Sequence, residues 1–302
     1  MQVSTSSLFD RASKQMVSIQ NDLAKSQQEI AAQKQVLNPS DAPNQAATIT
    51  RLKSVIARQD TYTKALSQVQ GRLDSESANL SNASEVLVRI KELAVQANNG
   101  SQGTVSRKAI ATEMKGLRDQ LLSVANSTDA SGNFIFSGSR VNTKAFTEND
   151  SGIVEYTGDQ TRMNVAVGEQ RTLPLNRPGT NAFVRVVRDG EGIGFFTAID
   201  DLIDGVNEGS RSVMQRGLTE IDALHGGVVV AQADVGTDMK VVEQQGAVVD
   251  DTKLSLSVAL SQVEDLDMTT AVTNMQKLML SLEAAQSTFA KTSQMSLFKY
   301  LG

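Results

Sequence analysis

Apolar side chains recur at alternating intervals of three and four along most of this chain, the period of a helix that buries one stripe. From Leu8 to Leu37 the stripe holds Phe9, Ala12, Met16, Ile19, Leu23, Ser26 and Ile30, with Gln, Ser, Lys, Asp and Asn between. That pattern predicts one amphipathic helix with a narrow apolar face. The stretch "LNPSDAPNQAA" ends it. Pro39 disfavours helical geometry at Asn38, Ser40 and Asp41 are cap-type residues, and Pro43 suits the first turn of a new helix.

The next tract carries the strongest pattern. Leu52, Val55, Gln59, Tyr62, Leu66, Val69, Leu73, Glu76, Leu80, Ala83, Leu87, Ile90, Ala94 and Ala97 keep strict spacing, with only Gln59 and Glu76 polar. A helix over 46–98 would be about 80 Å long at 1.5 Å per residue. A seam this narrow and this long requires a partner helix along its length. "ANNGSQG" stops it, and a third helix over roughly 105–128 shows Ile110, Met114, Leu117, Leu121 and Val124 on one face.

The period then changes. Between Ser131 and Asp200 lie nine of the 21 glycines and seven of the twelve aromatic residues. "GIVEYTGDQTRMNVAVGEQRTLPLN" alternates short β-rich runs with Gly-Asp, Gly-Glu and Asn, the pattern of hairpins. Helical spacing returns from Asn207, where Val235, Met239, Val242, Gly246, Val249, Lys253, Leu256, Leu260 and Val263 recur, and "ALHGGVV" reads as an interruption. "EDLDMTTA" offers a break and a cap at Asp267. After it, Met275, Leu278, Leu282, Ala285 and Phe289 form a last stripe, and Leu297 and Phe298 follow near the end.

This order predicts a mainly α chain whose N- and C-terminal regions fold back into a long antiparallel coiled-coil or bundle rod, with a small β-rich (α+β) inserted domain. Three domains are expected: 1–43 with 267–302 as a terminal coiled-coil assembly domain, 44–130 with 205–266 as a long-helix core, and 131–204 as the insert. A pair of terminal helices alone buries little, so Phe9, Met16, Ile19, Leu23, Ile30, Met275, Leu278, Leu282, Ala285, Phe289, Leu297 and Phe298 are expected to form an assembly interface.

Composition narrows the chemistry. The chain has 302 residues, no Cys, and a net charge of −5, without a basic run. Disulfides and thiolate metal sites are excluded, and nucleic acid is not an expected partner. No apolar run approaches the roughly 20 residues of a membrane span, so no membrane insertion is expected. The start "MQVSTSSLFDRASKQM" lacks a signal-peptide core, so classical secretion is not indicated. The single histidine, His225, excludes an H-E-x-x-H helix, no G-x-S-x-G occurs, and "DGEGIGFF" reads as a turn rather than a phosphate loop. Acidic groups at Asp200, Asp201 and Asp204, at Asp250 and Asp251, and at Glu264, Asp265 and Asp267 lack calcium-loop spacing and read as solvated helix ends and caps. No catalytic residue, metal or cofactor is expected.

Several segments together resemble the bacterial flagellin family. "NPSDAPNQAA" is similar to the turn after the first flagellin helix. "VLVRIKELAVQANNGS" with "RKAIATEMKGLRDQLLSVANS" resembles the family's helical core, and "LSQVEDLDMTTAVTNM" with "MSLFKYL" its C-terminal region. The opening, the segment "GNFIFSGSRVNTKAF" and the ending "SLFKYLG" look like the hook-junction branch rather than the filament subunits; a short flagellin is the alternative, and a secreted coiled-coil effector a weaker one. The resemblance implies a structural adaptor between hook and filament, exported uncleaved by the flagellar type III apparatus to the extracellular flagellum. It implies a homo-oligomeric ring, contacts with the hook-side hook-associated protein and with flagellin, and an export chaperone at the C-terminal helix.

Overall fold

The computed structural model describes the backbone of residues 5–301 and the side chains of residue 7 and residues 9–291. It contains α1 (Thr5–Ala32), α2 (Pro43–Ala97), α3 (Thr104–Ala125), six short strands, α4 (Phe195–Glu208), α5 (Arg211–Glu264) and α6 (Met268–Leu301). The strands are β1 (Phe146–Glu148), β2 (Val154–Tyr156), β3 (Asn164–Ala166), β4 (Thr172–Pro174), β5 (Val186–Arg188) and β6 (Glu191–Ile193). They pair as three antiparallel hairpins, β1 with β2, β3 with β4 and β5 with β6. The chain is mainly α with a small strand-rich region, as its periodicity predicts.

Two compact units result, one of residues 59–250 and one of residues 1–58 with 251–302. In the first, the seam of α2 is the core: Leu80, Ala83, Leu87, Ile90 and Ala94 are fully buried. Met114 and Leu121 of α3, and Leu224, Val228 and Val235 of α5, join the same cluster. Here α2 and α5 run antiparallel, since Ser84 Oγ lies 2.9 Å from His225 Nε2 and Lys91 Nζ donates to Asp222 at 2.5 Å. Aromatic rings fill the space under the hairpins, with Phe183 at 5.3 Å from Phe136, 5.3 Å from Phe146 and 5.1 Å from Phe195. Such edge-to-face contacts add about 0.5–1.5 kcal/mol each beyond burial.

Both polar interruptions of the α2 seam are buried. Glu76 accepts from Arg177 Nε at 2.8 Å, and the same guanidinium reaches Asp238 at 2.8 Å and Asp234 at 3.3 Å. Arg118 grips Asp200 with two bonds, at 2.9 and 3.0 Å, and lies over the Phe196 ring, tying α3 to α4. Arg188 likewise joins Asp201 and Glu220. Asp200 and Asp201 are thus ion-pair partners rather than merely solvated helix ends.

The structure differs from the sequence pattern in three further places. First, α1 ends at Ala32 rather than Leu37, because Gln33 turns into the left-handed region (φ 56°) and Lys34 pairs with Asp265 as an isolated β-bridge. Second, helix resumes at Phe195, not Asn207. Phe195, Phe196, Ile199, Leu202, Ile203 and Val206 bury one face of α4, and Gly209 (φ 77°) ends it. Third, "ALHGGVV" does not interrupt α5: a Cβ on Gly227 would stand 2.6 Å from Val184, so the glycine permits close packing instead. The turn in "DGEGIGFF" is present, with Asp189 (φ 52°) and Gly190 (φ 87°) as the two-residue loop of the β5–β6 hairpin. Two positive φ values suit that loop to the twist of the strands.

Candidate assembly surface

In the second unit, α1 and α6 lie side by side. Phe9 meets Phe289 edge-on at 5.3 Å, and Lys34 meets Asp265 at the other end, so the two helices are antiparallel. Phe9, Met16, Ile19, Leu23 and Ile30 on α1 are half-buried, and so are Met275, Leu278, Leu282, Ala285 and Phe289 on α6. Leu297 and Phe298 lie outside the described side chains. The physical reason for this incomplete burial is geometric: two helices cover only the line along which they touch, and each stripe keeps its flanks in water.

A groove of about 490 Å³ runs along the pair, lined by Phe9, Ala12, Ile19, Ala285 and Phe289 with Gln15, Ser281, Ala284 and Thr288. The last four carry no signal in the apolar stripe and emerge only when the helices are paired. Val17, Met279 and Leu280 are exposed outside the groove, Leu280 to 68%. Among this unit's described residues the only buried apolar side chains are Ile49 and Ala271, each still 8% exposed. Full burial of a Leu or Phe contributes about 1.5–3 kcal/mol, so half-buried positions leave roughly half of that unrealised.

The turns at the root of the pair are polar. Asp267 caps α6 by accepting from the amides of Thr269 (3.0 Å) and Thr270 (3.3 Å) and from Thr270 Oγ1 (2.8 Å), which holds its carboxyl below the usual range. Glu264, in contrast, is buried and receives Lys34 at 2.6 Å and Lys53 at 2.8 Å. Hydrogen bonds from Lys34 and then Lys53 hold its carboxyl below the ordinary value. The expected solvated end is therefore right for Asp267 and wrong for Glu264. Nothing local to the sequence links Lys34 or Lys53 to residue 264; folding brings them together.

The family model described as the bacterial flagellin N-terminal helical region matches residues 3–141, and that of the C-terminal helical region matches residues 218–301. Together they take in about three-quarters of the chain. The chain belongs to the bacterial flagellin family. Among curated relatives, flagellar hook-associated protein 3 of Salmonella typhimurium is 25% identical over 99% of both chains. A flagellin of Listeria monocytogenes is 22% identical over 90% of this chain and 88% of its own. The flagellar junction protein FlgL of Legionella pneumophila has the same fold, with a TM-score of 0.61 at 20% identity, covering 72% of this chain and 99% of that one. In this flagellin-family chain the two matched regions are helical, α1 to α3 and nearly all of α5 with α6, and the three hairpins β1 to β6 and α4 lie between them.

Proposed function

We infer that this chain is a structural, non-catalytic component of the bacterial flagellum, a hook-associated protein at the junction between hook and filament on which flagellin polymerises. The observation that carries this reading is the end-to-end correspondence with hook-associated protein 3, against a lower and less complete match to filament flagellin. The half-buried α1–α6 seam supports an assembly role for the termini, because apolar surface left wet in one subunit gains energy when a neighbour covers it. In this reading residues 1–43 with 267–302 form the assembly domain, 44–130 with 205–266 the helical core, and 131–204 the outer insert. The chain works outside the cell as a homo-oligomeric ring. It contacts the hook-side hook-associated protein and flagellin, and is handed to the type III export apparatus by a chaperone at α6.

A strain lacking the gene tests this. Bare hooks with flagellin shed into the medium are expected, because the filament subunit is made without a surface to stand on. Bare hooks without flagellin in the medium would instead make this chain the filament subunit. Normal filaments would refute both. Leu282→Asp, which puts a charge into the seam, is expected to abolish assembly while leaving the helicity of residues 46–98 unchanged; normal assembly by this variant would refute the role given to the seam.

A further inference from the structure

The two turns that connect the helices of the terminal unit are bound to each other. The Gln35 amide donates to the Glu264 carbonyl at 2.9 Å, and the Leu266 amide donates to the Gln33 carbonyl at 3.1 Å. Gln35 Nε2 adds a bond to the Val263 carbonyl at 2.6 Å. The Glu264 side chain lies at the centre, only 8% exposed, with Lys34 from the first turn and Lys53 from α2 on the same oxygen. The Ser261 hydroxyl donates to Asp265 at 2.5 Å, fixing the last turn of α5 to the same junction. Four helices thus end on or pass through one small polar cluster.

The apolar seam of α1 and α6 is poor at setting its own register. Apart from the Phe9–Phe289 ring contact, its positions are mostly knobs of Met, Ile, Leu and Ala, so a slip of one heptad forfeits one aromatic pair and otherwise sets aliphatic against aliphatic. A slip of seven residues would move Lys34 about 10 Å along the axis relative to Glu264, at 1.5 Å per residue, beyond the reach of the ion pair and of both backbone bonds. Polar groups buried in helical interfaces fix register in this way, since a misplaced one is left without a partner.

We propose that these turns form a clasp, centred on Glu264, that sets the register of α1 against α6 and holds the root of the terminal pair independently of the apolar seam. Glu264 is in this sense a positioning residue, and the inference does not rest on what the seam docks against.

The test uses the full chain in solution. Because the chain has no Cys, paired cysteines report register directly: Phe9→Cys with Phe289→Cys for the observed register, and Phe9→Cys with Leu282→Cys for a one-heptad slip. Glu264→Gln is expected to lower oxidative cross-linking of the first pair at least fivefold and to raise that of the second. Hydrogen exchange at the Gln35 and Leu266 amides is expected to accelerate at least tenfold in that variant, with residues 59–250 unchanged. Should Glu264→Gln unfold the whole unit, Lys53→Met, which leaves the Lys34 bond in place, is expected to give the same two shifts at smaller size. Leu282→Asp is expected to leave protection of Gln35 and Leu266 within twofold of the parent while the seam amides lose theirs. Unchanged cross-linking of the Phe9–Phe289 pair without Glu264 or Lys53 would overturn the inference. Loss of clasp protection in Leu282→Asp would overturn it too.

Discussion

The buried ion network of the larger unit makes an asymmetric prediction. Arg177 holds three carboxylates, but they sit in different surroundings: the Glu76 side chain is 4% exposed and that of Asp234 is 61% exposed. Removing the guanidinium with Arg177→Met leaves the aspartates to water and strands Glu76 beneath the hairpins. Breaking a buried pair on one side costs about 3–5 kcal/mol, nearly all of it at the stranded charge. Glu76→Gln, in contrast, leaves Arg177 its bonds to Asp234 and Asp238 and relieves a buried charge as it weakens one charged hydrogen bond, so its net cost is expected to be about 1 kcal/mol or less. The double variant Glu76→Leu, Arg177→Met removes the stranded charge and is expected to be far milder than Arg177→Met alone.

The pH dependence has a definite sign. Burial raises the Glu76 carboxyl above its ordinary value of 4.5, and Arg177 only partly opposes this. A raised folded value means that the folded state binds the proton more tightly, so this group's penalty is full above the folded value and absent below 4.5. Without Arg177 the value rises further, and the cost of Arg177→Met is expected to shrink as pH falls from 8 towards 5. Urea unfolding followed by near-ultraviolet circular dichroism suits the measurement, because most of the aromatic residues lie within 59–250. A cost for Arg177→Met below about 1 kcal/mol, or one below that of Glu76→Gln, would refute the reasoning.

Two adjacent glycines are expected to behave oppositely. Gly226→Ala meets open space in a helix interior and should stabilise by about 0.5–1 kcal/mol, whereas Gly227→Ala drives a Cβ into Val184 and should cost about 1–3 kcal/mol before the same propensity gain is returned; thermal melts of the two variants compare them. Phe289→Ala, at a half-buried ring, is expected to cost about 1–2 kcal/mol and to speed exchange only in α1 and α6, against about 3–5 kcal/mol for Phe136→Ala in the aromatic core. Equal costs at the two phenylalanines would contradict the difference in burial on which this rests.

Helices whose stripes bury against other helices were legible in advance because period and burial have the same cause. The start at Pro43 and the cap at Asp267 were legible because they are local chemistry. What the sequence hid is non-local. Glu76 reads as a flaw in a leucine stripe until Arg177, a hundred residues later, closes on it. Gly226 and Gly227 read as a break until Val184 explains the second. The helix at Phe195 was masked by the glycine-rich run before it, although its own apolar spacing is regular. Glu264 reads as a solvated end because neither lysine that buries it is near in sequence. For the seam, the stripes gave the residues on each helix but not the groove lined by Gln15, Ser281, Ala284 and Thr288, which exists only once the helices are side by side.

The two units place their stabilising contacts differently, and this bears on how the terminal pair behaves. Fixing a residue's backbone costs about 1–2 kcal/mol of conformational entropy, so helices of 28 and 34 residues need extensive burial or extra anchors to stay ordered. Among the described side chains of α1 and α6 burial of the apolar stripes is half complete, and the directional contacts are concentrated at one end, in the turns around Glu264. Order should therefore be strongest at that end and weaken toward Phe9 and Phe289. Any partner that covers the groove adds apolar burial where the pair itself supplies least, so its binding free energy and the stability of the pair are linked and must rise together.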